Sequence, residues 1–241
     1  MSVATGVRAS RASVPGRLRS FARENSLSLF FGVLFLAAIF GQSLTGHRSF
    51  NAEQAEHGAA SISYGAYLAS SDFGQAVLEN WQSEFLQFAL FILATVWLVQ
   101  RGSPESKKIG HAGRETRRDQ LIGYAARPDS PRWAKAGGVR TWVFSNSLLI
   151  AMLAIFAASW FVQSLTGLNQ LNDAQLEHGV APVSWATYVT SAAFWEDTLQ
   201  NWQSEFLAVG TLAVFAIYLR QRGSGESKPV GAPHDETEVS G

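Results

Sequence analysis

Four apolar runs interrupt an otherwise polar chain. Ser26–Gly46 and Ser147–Gly167 each extend 21 residues without a charge, and Phe85–Val99 and Phe206–Leu219 extend 15 and 14. A helix needs about 20 mostly apolar residues to cross roughly 30 Å of hydrocarbon. The first and third runs therefore predict membrane helices. The second and fourth do so only if the polar residues before them continue the helix. Ser71–Asp72 can cap a helix that runs through Phe73, Val77 and Trp81 into the second run, which makes that run the inner half of a longer helix starting near Asp72. An arginine-bearing segment precedes the first run, as in a secretory signal. The third run is its copy in mid-chain, so both are read as retained helices.

The polar positions reveal a duplication. Asn25–Lys107 aligns without a gap on Asn146–Lys228 at a shift of 121, with 37 of 83 positions identical. Self-similarity of this extent is a tandem repeat. The shared letters gather at the helix ends: QSLTG at 42–46 and 163–167, EHG at 56–58 and 177–179, NWQSEFL at 80–86 and 201–207, and QRGS-x-ESK from Gln100 and Gln221. The helix middles share little beyond being apolar, as expected of surfaces that meet lipid. Retained polar letters imply local geometry common to both halves.

Charge sets the orientation. Lys and Arg number 19, as do Asp and Glu; five of the basic residues precede residue 25, ten lie in 101–145 and three follow from Arg220, whereas the loop 47–80 holds only Arg48 and 168–201 holds none. Basic residues favour the cytoplasmic side. Both termini and the connector are thus expected inside, and both long loops outside. Two spans per repeat give the repeats the same orientation, about a pseudo-two-fold along the membrane normal. The expected architecture is all-α and polytopic. A basic cytoplasmic tail (1–24) leads to hairpin repeat 1 (25–107, spans about 26–46 and 81–99). A basic cytoplasmic connector (108–145) leads to hairpin repeat 2 (146–228, spans about 147–167 and 202–219). A disordered tail (229–241) ends the chain.

Each outer loop reads as helical. Asn51 and Asn172 are expected N-caps, with Gln54 and Gln175 three residues on and Gly58 and Gly179 at C′. Ser63 and Ser184 open short aromatic segments. Trp81 and Trp202 fit an interfacial belt. Glu84 lies 15 residues before Val99 and Gln42 lies 15 after Leu27. At 1.5 Å per residue both sit roughly 22 Å above the inner boundary. A carboxylate at that depth needs a partner or a proton, so Gln42 is expected to pair with Glu84, and Gln163 with Glu205. Asn80 and Asn201 share faces with these carboxylates. Gln42, Asn80, Glu84, Gln163, Asn201 and Glu205 thus form the candidate polar pocket, either shared by the repeats or split into two separate networks. The plain reading of Glu84 and Glu205 is packing at the interface; the sharper one is an ion or proton site. The plain one is favoured, because the apolar cores offer few polar groups.

Glu56, His57, Glu177 and His178 could supply four metal ligands. Adjacent helical residues diverge by about 100°, and a histidine at a helix C-terminus already suits the dipole, so the metal reading is not adopted and no cofactor is expected. The chain has no cysteine, which excludes disulfides and thiol chemistry. Zero net charge gives no sign of a nucleic-acid partner. No phosphate loop, Ser-His-Asp arrangement or HExxH occurs.

NWQSEF before an apolar helix, followed by QRGS-x-ESK, resembles an uncharacterised family of small bacterial integral membrane proteins, a domain of unknown function. The resemblance covers about 25–107 and 146–228. It implies bacterial origin and the plasma (inner) membrane, and it carries over no activity and no catalytic residue. The expected function is that of a non-enzymatic envelope or interaction protein with helical outer loops. A small transporter or channel using Glu84 and Glu205 is the alternative. The lipid bilayer is the expected partner, with anionic lipid at the connector, and self-association into a homo-oligomer is left open. Reporter fusions after Asn51 and after Gly110 should report opposite sides of the membrane; the same side for both would overturn the topology.

Overall fold

Helices form wherever the apolar periodicity is long, and they stop at identifiable punctuation. The computed structural model describes residues 14–239, so Arg8 and Arg11 of the expected basic tail, and the last two residues, lie outside it. Among the described residues there are nine α-helices, one 3₁₀ turn (Gly123–Ala125) and no strand. The helices are α1 (Val14–Glu24), α2 (Ser26–Glu56), α3 (Tyr64–Leu68), α4 (Ser71–Trp97), α5 (Arg132–Ala136), α6 (Gly138–Ser145), α7 (Ser147–Glu177), α8 (Trp185–Val189) and α9 (Ala192–Tyr218). The chain divides into two compact units, up to Ala69 and from Ser70 onward. These units do not follow the repeats: α4, the last helix of repeat 1, packs with α7 and α9 of repeat 2.

The outer loops differ from expectation in an informative way. α2 and α7 do not end near QSLTG but run on for 31 residues each. Nothing between Gly46 and Glu56 breaks a helix; the stop is Gly58, with its counterpart Gly179, at φ +72° and +70°, the left-handed C′ position that glycine takes without strain. Asn51 and Asn172 are therefore mid-helix clamps, not N-caps. Asn51 Nδ2 donates to Ile62 O (3.1 Å) and its Oδ1 accepts from Ile62 N (2.8 Å). Asn172 holds Val183 in the same way, at 3.2 and 2.8 Å. The returning chain is thereby pinned to the helix as if by a backbone pair. Ser63 and Ser184 cap α3 and α8 as expected. The caps of α4 and α9 are Ser70 and Ser191, one residue before the expected Ser71.

Each short helix then hooks onto its long one through the QSLTG letters. Ser43 Oγ and Tyr64 Oη lie 2.6 Å apart; in repeat 2, Trp185 Nε1 donates to Ser164 Oγ at 2.9 Å. Tyr67 and Tyr188 are buried, and their hydroxyls sit where a Cβ on Gly46 or Gly167 would be. This is why glycine recurs at the end of both motifs.

The apolar faces of the long helices look outward. Leu27, Phe31 and Leu36 are 60–71 % exposed, while the most buried side chains include Gln82, Gln163, Thr198 and Ser83. On α7 the contrast is direct: Leu148, Leu153 and Phe161 are exposed while Gln163 and Ser164 are buried. α2 and α7 are long and apolar enough to cross a membrane. α4 and α9 are 27 residues each, but polar residues fill their outer halves.

After α9, the expected unstructured tail is anchored as far as it is described. Lys228 is 1 % exposed, and its Nζ donates to the carbonyls of Pro233, His234 and Glu236 at 2.9–3.2 Å. Thr237 Oγ1 accepts from Gly102 N at 2.9 Å. A polar composition suggested solvation; a buried ammonium that gathers main-chain oxygens supplies the missing order. Replacing Gly46 or Gly167 by Ala should cost about 1–3 kcal/mol of stability by overpacking. Pairing each change with Tyr67→Phe or Tyr188→Phe, respectively, should restore part of that loss in thermal unfolding in detergent.

Candidate functional site

The second unit is built around a polar seam. α4 and α7 run antiparallel, joined where Gln170 Nε2 donates to Asp72 Oδ1 (2.9 Å) and Thr166 Oγ1 to Gln75 Oε1 (3.0 Å). α4 and α9 run parallel, as two copies of one helix. Asn201 Nδ2 donates to Glu79 Oε1 and Trp202 Nε1 to Gln82 Oε1, both at 2.7 Å. Small residues allow the approach of α4 and α7: Ala89, Ser83 and Ser159 are buried, and a Cβ on Gly74 would crowd Thr166. Small and hydrogen-bonding residues at helix contacts are how helices associate where no hydrophobic driving force exists. α7 and α9 are instead spaced by rings, with Trp160 centred 5.9 Å from Trp195 and 6.3 Å from Trp202. Gln163 Oε1 and Thr198 Oγ1 are buried here without a hydrogen-bond partner.

Two carboxylate pairs lie on or just beyond the α4–α9 contact, and each joins equivalent positions of the repeats. Glu84 and Glu205 are close enough for their charges to interact. Glu105 and Glu226 meet beyond the C-terminal ends of α4 and α9, within hydrogen-bonding reach through their side chains. The QRGS-x-ESK motif creates the second pair. Ser106 Oγ accepts from Gln100 N and Ser227 Oγ from Gln221 N (2.8 and 2.9 Å), which turns the chain back toward the seam. Between the pairs lies a cavity of about 250 Å³, lined by Gln87, Phe91, Glu105, Leu212 and Glu226 among others. Burial first, then the hydrogen bond and charge of Glu226, push the Glu105 carboxyl up to about 7 from 4.5.

The expected pocket is brought together in part. Glu84 and Glu205 face one seam. Asn201 belongs to it too, but through Glu79 rather than Glu84. Asn80 instead bonds back to Ala76 O in its own helix. Gln42 lies on α2 in the other compact unit. Gln163 is buried on α7, which packs chiefly along α4 and stands off α9 behind tryptophans, so its side chain is aligned with α4 and not with Glu205. Trp202 is no simple belt residue, since its ring lies in the aromatic cluster and its N–H serves Gln82. Trp81 is half-buried. Glu56, His57, Glu177 and His178 are exposed, and no group of three or more metal-ligating side chains gathers among the described residues. Glu105 and Glu226 were overlooked in the sequence, although the ESK repeated in both copies marked them.

These features define an all-helical protein with two membrane-compatible helices and a polar interior. The chain belongs to the family described as a domain of unknown function, DUF6766, whose model matches residues 18–239. No curated protein and no solved structure matches it.

The Glu105 carboxyl, raised when folded, favours its neutral form. Its stabilisation is complete below about pH 4.5 and is lost as pH rises through about 7. Melting temperature in detergent should therefore fall across that window, and Glu226→Gln should flatten the fall. An unchanged pH profile in the variant would refute the carboxyl pairing.

Proposed function

We propose that the protein is a four-span integral membrane protein of the plasma membrane, with both termini inside, that handles a proton or a small cation along the α4–α9 seam and performs no catalysis. α4 and α9 serve as the second and fourth spans, their polar outer halves shielded by neighbouring helices. One observation carries the reading: a symmetry-related carboxylate pair lies on the α4–α9 contact and a second, on the loops that follow these helices, lines a cavity against the same contact. Gln87, three residues from Glu84 and about 4.5 Å along the axis, lines the cavity, which therefore reaches close to the outer pair. Ionisable groups inside membrane segments are costly and commonly mark ion or proton paths. The buried polar residues Gln82, Thr198 and Gln163 supply the polar interior that the apolar runs alone did not promise.

A second reading, an envelope protein that meets a partner through its outer surface, is favoured by the clamped hooks. Asn51, Asn172 and the QSLTG serines hold α3 and α8 in set positions, more than a passive loop requires.

Reconstitution of the full chain in liposomes with an internal pH dye and an imposed potassium diffusion potential separates the two. Proton or sodium entry above that of empty vesicles is expected, reduced at least about tenfold by Glu84→Gln with Glu205→Gln. Entry no faster than in empty vesicles would remove the transport reading and leave the outer-surface one.

A further inference from the structure

A cavity of about 730 Å³ lies where the end of α4 meets the start of α7, away from the carboxylate seam. One wall is apolar: Leu93 and Trp97 from the last turns of α4, and Leu148 from the first turn of α7. That wall continues the lipid-facing surface, since Leu148 opens the apolar run and is 58 % exposed. The opposite wall comes from the basic connector and carries Arg114 and Arg117. Neither guanidinium has an ion-pair partner among the described residues, where the two ion pairs are Lys107–Glu115 and Lys108–Glu238. Glu115, the one carboxylate on the lining, is already held by Lys107 at 2.9 Å. Gly137 and Gly138 close the far side with positive φ, and α6 starts there without a side-chain cap.

We propose that this cavity binds one anionic phospholipid of the inner leaflet, its phosphate between Arg114 and Arg117 and an acyl chain along Leu93, Trp97 and Leu148. Three constraints select this occupant. A free anion would find a wall that is largely hydrocarbon and gain nothing from it. A zwitterionic lipid would bring its own ammonium beside the two guanidinium groups, leaving the site with excess positive charge. An anionic lipid satisfies both walls at once, and its natural depth matches the place where the apolar surface ends and the basic connector begins. Guanidinium forks also suit phosphate oxygens geometrically. The wall is formed partly by Trp97 and Trp142, rings with a polar edge that favour the headgroup level. The site is independent of the transport reading, since it shares no residue with the α4–α9 cavity.

The test uses the full chain in vesicles of phosphatidylcholine alone or mixed with phosphatidylglycerol. Native mass spectrometry after gentle detergent release should show phosphatidylglycerol retained on the wild-type protein, and at least several-fold less on Arg114→Gln/Arg117→Gln. The control Arg127→Gln/Arg132→Gln removes the same charge elsewhere on the connector and should retain the lipid. Equal loss in both variants would mean diffuse attraction and overturn the site, as would undiminished retention in the first variant. Displacement by glycerol phosphate or inorganic phosphate would indicate a free-anion site and also overturn it. A measurement without substitution guards against misfolding of the variant. Brominated phosphatidylglycerol should quench tryptophan fluorescence of the wild type more strongly than brominated phosphatidylcholine, and equal quenching would count against the proposal.

Discussion

Most polar side chains buried between α4, α7 and α9 find their partners on a neighbouring helix. That pairing organises the second unit. Leaving a buried polar group without a partner costs about 1–3 kcal/mol. Gln82, Gln75 and Glu79 therefore define where α4 meets its neighbours, and each reaches a different helix partner or face: Trp202, Thr166 and Asn201. The apolar surface, by contrast, is almost indifferent to its contacts, which is why the helix middles differ so freely between the repeats. Packing here is specified by a few hydrogen bonds and by small residues that let backbones approach.

The retained motifs divide this work by level. QSLTG receives the hook: its serine meets an aromatic tip and its glycine makes room for a tyrosine hydroxyl. NWQSEFL supplies the contact between the two copies of the same helix. QRGS-x-ESK folds back at the inner end, and the same serine-to-backbone bonds occur in both copies. The result is a seam with matched carboxylates at two depths, one on the helices and one on the returning loops.

Much of the fold was legible in the sequence. The duplication, the helical class, the two long apolar helices, the serine caps of the hooks and the C′ glycines all rest on local rules that need no tertiary knowledge. Helix neighbours were not legible. Matching depth suggested that Gln163 would reach Glu205 within its hairpin, yet depth says nothing of azimuth, and α7 turns to α4. Asn51 misled because an asparagine before Gln54 looks like a cap, while its clamp partner lies 11 residues away. The anchored tail was hidden for a similar reason: its order comes from main-chain carbonyls gathered by Lys228, and carbonyls are the same in every sequence. Glu105 and Glu226 become a pair only after the loops turn back.

The contact between Glu79 and Asn201 has a consequence for what a fused repeat permits. Its symmetry counterpart would join Gln200 to Asn80, an amide in place of the carboxylate. A dimer of one hairpin could place charges on its central axis only in twos, since every substitution would appear on both sides. Joined in one chain, the halves can differ by a single charge and keep the rest of the contact. The Glu79 carboxylate has only the Gln200 amide as its counterpart, which gives an otherwise two-fold arrangement a distinguishable left and right.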